Sequence, residues 1–197
     1  MKKRFNDRYI TNNLPWDIKR PDFNLVNTVK EFGIKPCKAL DVGCGTGDNV
    51  LWAVSQGFTV AGIDLSEKAI EMAKEKSSQN NMKADFFVRD ILEDNIPGAP
   101  YGFIFDRGCF HTFDDHKQRK EYARIVASLL AKDGLWLTLA GNFDDGRLDV
   151  GPPKRSALDI ATTVEPFFEI LSLKQGRFDS NDTIPSKIWV GLMRKRR

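Results

Sequence analysis

"LDVGCGTGDN", residues 40–49, places three glycines, Gly43, Gly45 and Gly47, within five positions. An apolar run precedes them and a helix-like pattern follows. Glycine lacks a Cβ and tolerates positive φ, so such a turn bends sharply and lets a ligand press against bare backbone. A dinucleotide-binding turn usually reads G-x-G-x-x-G and sets a pyrophosphate on a helix N-terminus. Here the spacing is G-x-G-x-G, and Asp41 stands just before it. A carboxylate at that mouth repels a phosphate and suits a cationic ligand.

Outward from the turn, strand and helix patterns alternate. "KALDV" reads as the first strand and "DNVLWAVSQ" as a helix stopped by Gly57. "FTVAGID", "ADFFVRD", "YGFIFD" and "GLWLTLAG" supply four more short apolar strands. Before the turn, Leu25, Val26, Val29 and Phe32 fall at helical spacing within residues 22–32. Ser66 is placed to cap the helix "EKAIEMAKEKSS". A longer helix follows the fourth strand, with Asp114 and Asp115 expected in its first turn and a stripe of Tyr122, Ile125, Val126, Leu129 and Leu130. Ser156 and Asp159 form a capping box at the head of "SALDIATTV". "FFEILSLKQGRF" and "KIWVGLMRKR" read as a closing antiparallel pair. The expected fold is α/β: a three-layer, doubly wound, seven-stranded, mostly parallel sheet with a C-terminal antiparallel hairpin. Residues 1–21 form an N-terminal lid or extension, and residues 22–197 a single domain.

Ligands on such sheets bind beyond the carboxyl ends of the strands. Asp64 ends the second strand, where an acidic residue accepts hydrogen bonds from both ribose hydroxyls of a nucleoside. Its alternative role is to cap the following helix. Asp90 ends the third strand and either faces an adenine amino group or caps the next turn.

The stretch "ALDVGCGTGDNVLWAVSQGFTVAGIDLSEKAIEMA" resembles the first motif and acidic strand end of the class I S-adenosylmethionine-dependent methyltransferases. The acid before the glycines fits that cofactor, which carries a sulfonium and an ammonium and no phosphate. "LPWD", "IFDRGCFHTF" and the piece beginning "GPPKR" resemble the small-molecule branch of thiopurine, halide and thiol, and tellurite-resistance methyltransferases. The resemblance implies that Asp41, Gly43 and Gly45 hold the methionine part, Asp64 the ribose, and Asp90 with Ile91 the adenine. Leu65 and Asp106 join the cofactor set, and Trp16 lies over it as a lid. Asp106 and Arg107 would stand beside the transferred methyl, with Arg107 touching the acceptor or serving only as the ion-pair partner of Asp106. His111 or Asp106 would take a proton from an amine or hydroxyl acceptor, or His111 would simply pack. The chain departs from the thiopurine enzymes in the first motif, so thiopurine specificity is not implied.

Bulk properties narrow the function. Apolar residues make up 41 % of the 197 residues and charged ones 29 %, the balance of a soluble globular domain. A net charge of +3 gives no argument for nucleic acid. There is no apolar run of membrane-spanning length and no signal-peptide pattern. Cys37, Cys44 and Cys109 match no disulfide framework or zinc set, which points to a reducing cytoplasm and no metal. The expected activity is methyl transfer from S-adenosylmethionine, giving S-adenosylhomocysteine, to a small acceptor such as a thiol. A nicotinamide-dependent oxidoreductase and a non-catalytic cofactor-binding module are the competing readings.

Overall fold

A computed structural model describes residues 2–147 and 151–197. The strands are β1 (Lys38–Val42), β2 (Thr59–Asp64), β3 (Asp85–Val88), β4 (Tyr101–Arg107), β5 (Leu130–Asn142), β6 (Lys154–Arg155), β7 (Phe168–Arg177) and β8 (Lys187–Lys195). Seven of them form one sheet in the order β3-β2-β1-β4-β5-β8-β7, and the two-residue β6 adds to β5. β1 to β5 are parallel, while β8 runs antiparallel to both β5 and β7. The order reverses beside β1, so the ends of β1 and β4 open onto the crevice of a doubly wound sheet.

Helices cover both faces. On one side α2 (Phe23–Glu31), α3 (Asp48–Ser55) and α4 (Glu67–Gln79) bury Leu25, Val50, Ala53, Ile70 and Ala73 against Phe103, Phe105 and Leu137 of the sheet. On the other, α5 (His116–Leu129) and α6 (Ala157–Val164) bury Tyr122, Val126, Ile160 and Val164 against Ile104 and Trp136. Each of these helices offers an apolar stripe at a spacing of three and four residues, and burial of the two stripes builds the two cores.

Three details depart from the sequence reading. α5 begins at His116, and Asp115 is its N-cap, accepting from the Lys117 N–H at 3.0 Å; Asp114 lies ahead of the helix. The first parallel partner of Tyr101 is Leu130, so β5 starts four residues before the expected strand, and Leu130 belongs to it and not to the helical stripe. The N-terminal segment, read as a lid or extension with no helix of its own, contains a helix, α1 (Lys2–Ile10). The capping predictions hold: Ser66 accepts from Ala69 N–H, and Ser156 with Asp159 closes a capping box. Among the described residues no helix is long and apolar enough to cross a membrane.

Candidate active site

β1 delivers the glycine turn. Gly43 N–H and Cys44 N–H both donate to the Ile63 carbonyl, at 2.8 and 2.9 Å, which pins the turn to β2. Gly45 has φ +54°, and a Cβ there would sit 2.9 Å from the Tyr9 hydroxyl. Gly47 caps α3 at φ +87°, a left-handed conformation that glycine adopts without strain. The bare backbone is therefore required at Gly45 both by conformation and by close packing.

Behind the turn lies Asp41, 3 % exposed, with neither carboxylate oxygen hydrogen-bonded. Burial holds its carboxyl well above the usual carboxylate range; Asp106 and Asp64 push it further up, and Arg107 only partly offsets them. On the next strand, Asp64 accepts from Gly45 N–H at 3.0 Å and from Ser66 N–H at 2.8 Å. It thus ties β2 to the glycine turn and also caps the chain before α4. Desolvation raises its carboxyl, and the N–H donors of Ser66, Gly45 and Leu65 pull it back.

In front of the turn is a cleft of about 470 Å³, measured out to its open mouth. Tyr9, Trp16, Asp17 and Arg20 line it from the N-terminal segment, and Gly43 to Thr46 and Arg107 from the sheet. Trp16 donates its Nε1–H to the Tyr9 hydroxyl at 3.1 Å, meets the Phe5 and Tyr9 rings edge to face, and carries the Arg8 guanidinium 4.4 Å from its ring centre. α1 docks through Asn6, whose Oδ1 accepts from Ser66 Oγ at 2.8 Å and Lys68 N–H at 3.1 Å. This segment lies across the glycine turn.

The three residues expected beside the reacting atoms have other commitments. Arg107 is not paired with Asp106; its Nε meets the fully buried Asp22 at 2.7 Å. Its other nitrogens donate to the Trp16 carbonyl at 3.1 Å and the Asp179 carbonyl at 2.5 Å, and its guanidinium lies 5.0 Å from the Phe178 ring centre. Asp106 is fully buried and accepts from Cys109 N–H, Phe110 N–H and Trp136 Nε1–H, so it pins the turn after β4. Burial raises its pKa to about 6 against those donors. His111 Nδ1 accepts from Gly141 N–H at 2.8 Å, which leaves the ring proton on Nε2. Burial, with Arg155 and Arg107 nearby, lowers its pKa to about 3. The imidazole is a neutral donor at Nε2 and has no lone pair free to act as a base.

Trp16, Gly43, Gly45 and Arg107 are thus brought together at the cleft, with Asp41 and Asp64 directly behind. Asp90, Ile91, Asp106 and His111 are not on its wall. Asp90 Oδ1 accepts from Leu92 N–H at 2.9 Å, the turn-capping alternative, and Ile91 is buried in the core.

Residues 39–134 match the family described as a methyltransferase domain. Thiocyanate methyltransferase 1 of Brassica oleracea is 32 % identical over 145 residues, covering 73 % of this chain and 63 % of that protein. Over residues 39–134 the chain is thus similar to the methyltransferase-domain family. Among solved structures, one from work on the conversion of a disulfide bond into a thioacetal group during echinomycin biosynthesis superposes with TM-score 0.85 at 25 % identity, over 99 % of this chain and 93 % of that chain. The 1,6-didemethyltoxoflavin-N1-methyltransferase of Burkholderia thailandensis, bound to 1,6-didemethyltoxoflavin and S-adenosylhomocysteine, shares the fold, with TM-score 0.80 at 18 % identity over 100 % and 87 % of the two chains. The chain spans about half the length of the curated relatives it matches, 44 % and 63 % for two of them.

The site fits S-adenosylmethionine. A buried carboxylate without a partner is costly, and a cation beside it removes the cost. Asp41 is such a group, and the cofactor brings a sulfonium and an ammonium. Several residues of the site escaped the sequence reading: Tyr9 over the turn, Asp17 on the cleft wall, Asp22 under Arg107, and Arg155, which donates to the His111 and Phe113 carbonyls. Tyr9 left a signal as an aromatic seven residues before Trp16, and Asp17 and Arg155 close the stretches "LPWD" and "GPPKR"; Asp22 left none. Residues 148–150, between β5 and β6 in the sequence, lie outside the described residues.

Proposed function

We propose that this chain transfers the methyl group of S-adenosylmethionine to a small soft nucleophile, a thiol or a similar anion, in a cytoplasmic setting. The unpartnered Asp41 carboxylate behind the glycine turn carries the cofactor half of this reading. Asp41, Gly43 and Gly45 face the methionine part. Asp64, with Leu65 beside it, takes the ribose with the lone pairs left over from Gly45 and Ser66. Asp90 and Ile91 border the adenine, and Trp16 with the rest of residues 1–21 closes over the top of the single domain 22–197.

When bound, S-adenosylmethionine supplies a methyl on a sulfonium, already activated for in-line displacement, and S-adenosylhomocysteine is the product. The chain has to align the acceptor and keep water out, and positioning of that kind supplies on the order of 7–11 kcal/mol. A thiol, with an ordinary pKa of about 8.5, reaches its reactive anion without a strong base. That suits a site where both Asp106 and His111 are occupied by backbone donors. Arg107 acts by holding the site's walls together and contributes positive charge near the acceptor; Asp106 and His111 support the turn it stands on. The thiocyanate methyltransferase relative favours the same acceptor class.

Asp64→Ala is expected to weaken S-adenosylhomocysteine binding at least tenfold, since a hydrogen bond to a charged group contributes about 1.5–3 kcal/mol. Calorimetry showing unchanged affinity would remove the ribose role. Turnover to S-adenosylhomocysteine with a panel of thiols, halides and small amines tests the acceptor. Turnover with amines alone would overturn the soft-nucleophile reading, and no turnover with any acceptor would leave a binding module. Enhanced NADH fluorescence on mixing would point instead to a nicotinamide enzyme.

A further inference from the structure

Four charged side chains line the cleft: Asp17, Arg20, Asp48 and Arg107. Three of them are matched inside the protein. Arg20 pairs with Asp179 at 2.5 Å, Asp48 with Lys76 at 2.7 Å, and Arg107 with Asp22 at 2.7 Å. The other nitrogens of both guanidiniums also find acceptors, in the carbonyls of Trp16, Ile18, Asp179 and Ser180 and the Asn181 side chain. Among the described residues, Asp17 is the one charge on the wall with no ion pair. It is half-buried, and its Oδ1 lies 3.2 Å from the Thr46 hydroxyl, on the glycine turn. That hydroxyl is also 3.2 Å from Asp48 Oδ2 and accepts from Lys76 Nζ at 2.9 Å. Asp48 already takes Lys76 Nζ, so the single Thr46 proton serves Asp17 and holds its carboxylate against the turn. A carboxylate that lines a cleft without a counter-charge draws a cationic guest.

We propose that Asp17 receives the α-ammonium of the cofactor's amino-acid end in a charge-assisted hydrogen bond. This subsite rests on the cofactor reading above. S-adenosylmethionine carries two cations, and their chemistry selects the ammonium. It brings the N–H donors that a carboxylate accepts, whereas a sulfonium brings none. A carboxylate beside the sulfonium would also compete with the acceptor for the methyl and would repel a thiolate. The ammonium is common to cofactor and product, so Asp17 holds S-adenosylmethionine and S-adenosylhomocysteine alike. Because Asp17 belongs to residues 1–21, its bond to the ligand also ties that segment down over the cleft.

Calorimetry of the wild type and Asp17→Asn with three ligands tests the contact: S-adenosylmethionine, S-adenosylhomocysteine, and the analogue of S-adenosylhomocysteine with hydrogen in place of the α-amino group. Asp17→Asn removes a charge and almost no volume, so its melt without ligand is expected to match the wild type. The variant is expected to bind S-adenosylmethionine and S-adenosylhomocysteine each about tenfold more weakly, the scale of one hydrogen bond to a charged group. The deaminated analogue is expected to bind the wild type about tenfold more weakly than S-adenosylhomocysteine does, and to lose nothing further in the variant. Unchanged affinity of Asp17→Asn for S-adenosylhomocysteine would overturn the proposal. A loss confined to S-adenosylmethionine would overturn it in favour of a sulfonium contact, and an equal loss with the deaminated analogue in favour of a loosened wall. Binding of none of the three by the wild type would overturn the cofactor reading together with it.

Discussion

Asp41 and Asp64 stand on neighbouring strands behind the same turn and have opposite local fates. Asp64 gathers two backbone donors, whereas Asp41 gathers none. His111 shows a third fate, a titratable ring fixed in one tautomer by the Gly141 N–H. Its folded pKa of about 3 lies below the usual value near 6.5. The stabilisation from keeping it neutral is present above about pH 6.5 and is lost as the pH falls toward about 3. Wild type is therefore expected to lose its stability margin over His111→Gln across that window, followed by thermal melts at stepped pH. A margin that stays constant would show that the ring is not buried neutral. Asp106 works in the other direction, since a carboxyl raised to about 6 favours the fold below its ordinary range and gives up that stabilisation as the pH climbs through 6. The carboxylates at strand ends were legible because a nucleoside site asks for acids there. The partner of Arg107 was not, because Asp22 is 85 residues away and only the closed fold brings them together.

At the scale of elements, Asn6 ties α1 to α4. Asn6 Oδ1 accepts from Lys68 N–H in the first turn of α4 and from the hydroxyl of its N-cap, Ser66. Asn6→Ala is expected to cost about 1 kcal/mol, in the range of a lost cap. Limited proteolysis should then cut residues 1–21 sooner, while the main melting transition barely moves. Unchanged cleavage would mean that the aromatic cluster around Trp16 holds α1 without Asn6. The main strands and helices could be read from the sequence because their apolar periods are clean and their caps follow known chemistry. α1 gave no such pattern, since "KKRFNDRYI" is mostly polar and its contacts are aromatic and local. β6 is two residues long, too short for any period. The start of α5 was misplaced by reading Asp115 as a first-turn anion when it is the cap itself.

Across the whole molecule, Arg107 joins three distant pieces of chain: the end of β4, the segment carrying Trp16 and Asp22, and the loop after β7 at Asp179. Removing one partner of a buried ion pair costs about 3–5 kcal/mol, because the other charge is left stranded. Arg107→Ala is thus expected to lower the melting temperature by on the order of ten degrees. Amide exchange should quicken together in residues 14–23 and 178–181; faster exchange on one side only would show that the guanidinium is not the common tie. The sheet holds a second long-range dependence. β8 comes late in the chain yet lies inside the sheet, paired on one edge with β5 and on the other with β7. As the protein leaves the ribosome, β5 must wait with an open edge until β8 is made and slides in between. The nascent chain therefore stays exposed to mispairing until residues 187–195 have been made, and a stop codon ahead of Lys187 would leave a gap at the centre of the β5–β8–β7 array.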